Sequence, residues 1–112
     1  MNIEIHTQEK DLVYDLLGKS SATINDEIQI SDQLKLRYEG TDCCKAVGFP
    51  EIAYFVLTIG SGFAVDLAAG VTANWLYDKL KGKKIKVIIE RTEVEIDRGE
   101  IKKVIIEKLR IE

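Results

Sequence analysis

Four groups of residues have types that could do chemistry: a lone imidazole, two adjacent thiols, a glycine–serine–glycine step and a run of lysines. His6 is the one histidine of the chain. It lies in Asn2–Thr7, where Ile3 and Ile5 alternate with Asn2, Glu4 and His6. That period of two predicts a short strand with one buried face and puts His6 on the polar face. No catalytic partner for it is in view, so a solvated imidazole is expected, and no Ser–His–Asp or Cys–His arrangement is legible. Cys43 and Cys44 are neighbours, which prevents them from stapling distant segments to each other, and with a single histidine they do not complete a zinc set. They read as two reduced thiols of a cytosolic protein. Gly60-Ser61-Gly62 lacks the third glycine of a dinucleotide fingerprint and the Gly-Lys-Ser/Thr ending of a phosphate loop, so a helix kink or packing notch is expected there. Lys79, Lys81, Lys83, Lys84 and Lys86 carry no interleaved aromatic or arginine cluster. They predict a solvated helix end, where lysines complement the helix dipole, and no nucleic-acid partner. The acids of residues 85–97 alternate outward and do not single out a carboxylate pair for glycoside chemistry. The expectation is a protein that is not an enzyme, with no cofactor and no metal site.

The elements that must carry these residues follow from the same patterns. After the first strand, Leu12, Val13, Leu16 and Leu17 form one helical stripe opposite Glu9, Lys10 and Asp15, and Gly18 is a natural stop. The polar stretch after it reads as a loop with a short extended piece around Ile28 and Ile30, and residues 34–38 alternate again as a strand. A strand–helix–strand opening favours a parallel pair with a right-handed crossover. Pro50 suits the first turn of a helix, and the chain from Ile52 to Lys81 reads as mainly helical, interrupted or bent at Gly60-Ser61-Gly62 and ended by Gly82. Residues 85–90 and 93–97 alternate as two strands of a hairpin, although Arg91-Thr92 is not a favoured tight-turn pair. In the tail, Ile101, Val104, Ile105 and Leu109 line one face of a helix, with Asp97 as N-cap and Glu100 three residues on. A strand reading of the same tail places Lys103 and Glu107 among its apolar residues, so the helix is preferred. The fold expected is α+β: a small mixed sheet of about four strands with a long central helix, in the order β-α-β-α-β-β-α.

The long apolar segment poses the main functional choice. Ile52–Ala73 is long enough to span a bilayer, and lysines follow it. Its nine Ile, Leu, Val and Phe residues contribute roughly −3 to −5 kcal/mol to insertion, and Asp66 opposes them by about 2.5 to 3.5 kcal/mol. The sum is near zero, so membrane association through residues 52–77 is the alternative and not the favoured reading. As a buried helix, the segment offers two stripes of the same spacing. Phe63, Leu67, Val71 and Trp75 are large enough to cover a sheet. Gly62, Asp66, Gly70 and Asn74 are small and polar, which suits close approach by a second helix, with Asp66 meeting Asn74 of a second copy. These four residues are the candidate interaction site, and the partner expected is a protein, including the chain itself as a homodimer.

Composition sets the frame for this. With 112 residues, 46% hydrophobic and 31% charged, the chain matches one globular domain, residues 1–112, able to bury a core of its own. The net charge of −3 is too small to imply a polyanionic partner, though it is uneven: residues 1–51 hold ten acids and five bases, residues 52–112 nine acids and eleven bases. The opening residues are acidic and polar rather than basic then apolar, which predicts no secretory leader and a cytoplasmic location.

The stretch from Pro50 to Asp97 resembles the small bacterial module called effector-associated constant component. The Gly/Ala-rich run GSGFAVDLAAGVTANWLYDKLKGKK and the following pair KIKVIIE and TEVEID carry the likeness, and the preceding strand–helix–strand fits it too. The tail from Arg98 extends beyond the part that matches. The resemblance implies a non-enzymatic accessory module of a bacterial conflict or signalling system. It transfers no functional residues. A phage-encoded inhibitor of a bacterial defence system is an alternative of the same binding class.

Overall fold

Asn2–Thr7 forms the strand β1 that its alternation predicts, and its inward residues Ile3, Ile5 and Thr7 are buried. The computed structural model describes residues 1–18, 23–42, 52–60, 62, 64–83 and 85–111, and the side chains within those segments except Lys10, Asp42 and Ile111. Helix α1, Lys10–Leu17, follows and buries Leu12, Val13, Leu16 and Leu17. It ends where Gly18 turns left-handed, φ 67°, and donates its N–H to Tyr14 O. Strands β2, Glu27–Gln29, and β3, Leu34–Asp42, come next. β3 bulges between Tyr38 and Gly40. Gly40 has φ +107°, a backbone shape that favours glycine, and a Cβ there would stand 3.1 Å from Cγ1 of the exposed Ile24, whose side chain would have to shift.

The largest departure from the sequence reading is Ile52–Ile59. This segment is not the first part of a long helix but strand β4, in the interior of the sheet. Its run IAYFVLTI is apolar at nearly every position, and such a run does not distinguish a buried strand from a buried helix by periodicity. β-branched and aromatic residues fit the pleated surface, and pairing with strands on both sides satisfies every second backbone group in each direction. Helix α2 is therefore shorter than expected, Val65–Leu80. No helix among the described residues is long and apolar enough to cross a membrane, and the continuous helix over 52–77 that such a crossing requires is not formed.

Strands β5, Ile85–Ile89, and β6, Thr92–Val94, make the expected hairpin, with β6 shorter than the stretch 93–97. Its turn is Glu90-Arg91 rather than Arg91-Thr92, with φ of 46° and 71°. Helix α3, Arg98–Ile111, takes the preferred reading of the tail, and Glu100 N–H donates to Asp97 Oδ2 at 2.9 Å as the N-cap pattern predicts.

Among the described residues the sheet has six strands in the order β2-β3-β4-β1-β5-β6, and every neighbouring pair is antiparallel. The class α+β holds, but four strands become six, the mixed sheet becomes antiparallel, and the order becomes β-α-β-β-β-α-β-β-α. The expected parallel pair between β1 and β3 is absent because β4 stands between them. Buried side chains of one sheet face and of all three helices form a single cluster, so the helices share that face. α2 and α3 run antiparallel, with Asp66 near Arg110 at one end and Asp78 near Arg98 at the other.

Two outcomes test this architecture. Phe55→Ala should cost about 3–5 kcal/mol in urea denaturation, because Phe55 is fully buried in β4, whereas Leu67→Ala should stay within about 1 kcal/mol. Replacing Glu90-Arg91 with Asn-Gly should raise stability by roughly 1–2 kcal/mol, since two non-glycine residues in the left-handed region are relieved.

Candidate functional site

The sheet face opposite the helices is built from the residues that alternate with the core. His6 sits there, as the alternation predicts, but it is not fully solvated. Tyr54 of β4 is its register partner on one side and Lys86 of β5 on the other. The His6 and Tyr54 rings meet edge to face, with centroids 4.6 Å apart. His6 Nε2 is shielded from solvent and makes no hydrogen bond among the described residues; Glu4 Oε1 is 3.6 Å away, beyond bonding distance. The neighbouring hydroxyl, Thr7 Oγ1, belongs to the buried face and accepts from Glu9 N–H at 3.0 Å. Among the described residues, no nucleophile is hydrogen-bonded to His6. Tyr54 was missed in the sequence because its segment reads as helix.

Beside this row lies a cleft of about 330 Å³, lined by His6, Ile52, Ile85, Lys86 and Glu93 among others. Its one close charge pair is Lys86 Nζ to Glu93 Oε1, 4.0 Å apart with both side chains more than half exposed, so neither charge is held for chemistry. No group of three or more potential metal ligands occurs among the described residues. Cys43 and Cys44 lie outside them, as does Lys84 of the lysine run. Lys79, Lys81, Lys83 and Lys86 are exposed.

On α2 the structure rearranges the two expected stripes. Phe63 lies outside the described residues. Leu67 does not cover the sheet: it is 56% exposed, and Val71 and Trp75 are only partly buried at the margin of the core. The residues of α2 that are buried instead are Ala68, Ala69, Thr72, Ala73, Leu76 and Leu80. α2 makes its closest backbone approach to α3, and the Thr72 hydroxyl donates to Ala68 O at 2.7 Å, so it can be buried. Of the four candidate interaction residues, Asp66, Gly70 and Asn74 follow one another along α2, exposed, half-buried and exposed. Gly62 is not in their row, because it precedes the helix at φ +91°. A Cβ built on Gly70 would meet nothing within 4 Å. Asp66 stands 3.9 Å from Arg110 of α3, with three-quarters of its side chain exposed, so that contact leaves it open to a partner.

Comparisons with protein families, with curated proteins and with solved structures find no match to this chain.

The geometry of His6 gives one prediction. Its shielded Nε2 makes no hydrogen bond among the described residues, so His6→Phe should leave stability unchanged or raise it by up to about 1 kcal/mol in urea denaturation. A loss larger than that would show a polar role for the imidazole.

Proposed function

We propose that this chain is a non-catalytic protein-interaction module, an accessory of a bacterial conflict or signalling system, that associates with a second copy of itself through the outer side of α2. The observation that carries the contact is Leu67. A large apolar side chain is left 56% exposed on a helix whose core-facing side is already filled, and it stands one turn from Gly70, where the surface is open. An exposed knob beside a notch suits a twofold contact, because each copy supplies both parts. Asp66 and Asn74 flank the notch at equal spacing, so an antiparallel pairing centred on Gly70 brings each Asp66 to the Asn74 of the second copy. The resemblance to effector-associated constant components supports the accessory role.

Sedimentation tests the contact. Gly70→Leu fills the notch without harming the helix, since glycine is the poorer helix former by about 0.5–1 kcal/mol. The variant should keep its circular dichroism and halve the sedimenting mass. A wild-type monomer at high micromolar concentration, or an unchanged mass in the variant, would rule this surface out.

A further inference from the structure

No further inference is drawn: the strongest candidate, the cleft at the outer edge of β6 lined by Ile85, Val94 and Ile96 with the exposed carboxylates Glu93 and Glu95, borders a strand of only three residues, and nothing in the structure shows what covers it.

Discussion

Ile3 and Ile5 hold the rest of the structure in place. Each lies in β1 between two antiparallel neighbours, Ile3 across from Leu57 and Ile89, Ile5 across from Phe55 and Val87, and all six side chains are fully buried. A slip of one residue on either side would exchange these isoleucines for Glu4 and His6 and bury a carboxylate in the core. The register is therefore fixed by the cost of that exchange. With it are fixed the face that takes the helices and the face that does not.

The one-sided burial governs the helices in turn. α1, α2 and α3 must all cover the same face, and they compete for room above it. α2 buries Ala68, Ala69, Thr72, Ala73, Leu76 and Leu80 and lies closest to α3. α3 lies along one flank and contributes Ile101, Val104 and Ile105 to the same core. With those sides taken, the larger apolar residues Leu67, Val71 and Trp75 are left toward the outside. The outer side of α2 thus carries Leu67 among the exposed polar residues Asp66, Asn74, Asp78 and Lys79.

The chemistry of the open face follows the same rule. His6 stays on it because Ile5 and Thr7 point the other way, and its ring is held by Tyr54 rather than by an acid or a nucleophile. The charges of the face are arranged in short-range pairs along and across strands, with Arg37 beside Glu39, Lys35 beside Glu27 and Lys86 beside Glu93. Exposed pairs of this kind add little stability, so they leave the face free to exchange partners.

Much of this was legible in the residues alone. The period-two strands at 2–7, 34–38 and 85–90, the first helix with its glycine stop, the Asp97 cap and the hairpin are local patterns. Each depends on neighbours in sequence, so alternation and end signals reveal it. The alternation of β1 was also enough to place His6 on the polar face. The tertiary structure decided what those patterns cannot carry. IAYFVLTI could be buried as strand or helix, and only the open edges of β1 and β3 made it a strand, because their unpaired backbone groups need a partner. That insertion replaced the parallel pair with an antiparallel sheet and shortened the long helix. It also rotated the reading of α2: ranking side chains by size assigned Leu67 inward, whereas Ala68, Ala69 and Ala73 are the buried residues and Leu67 is exposed. Which face of a helix is inner is a property of the surface it meets, and that surface was assembled from strands far apart in the chain.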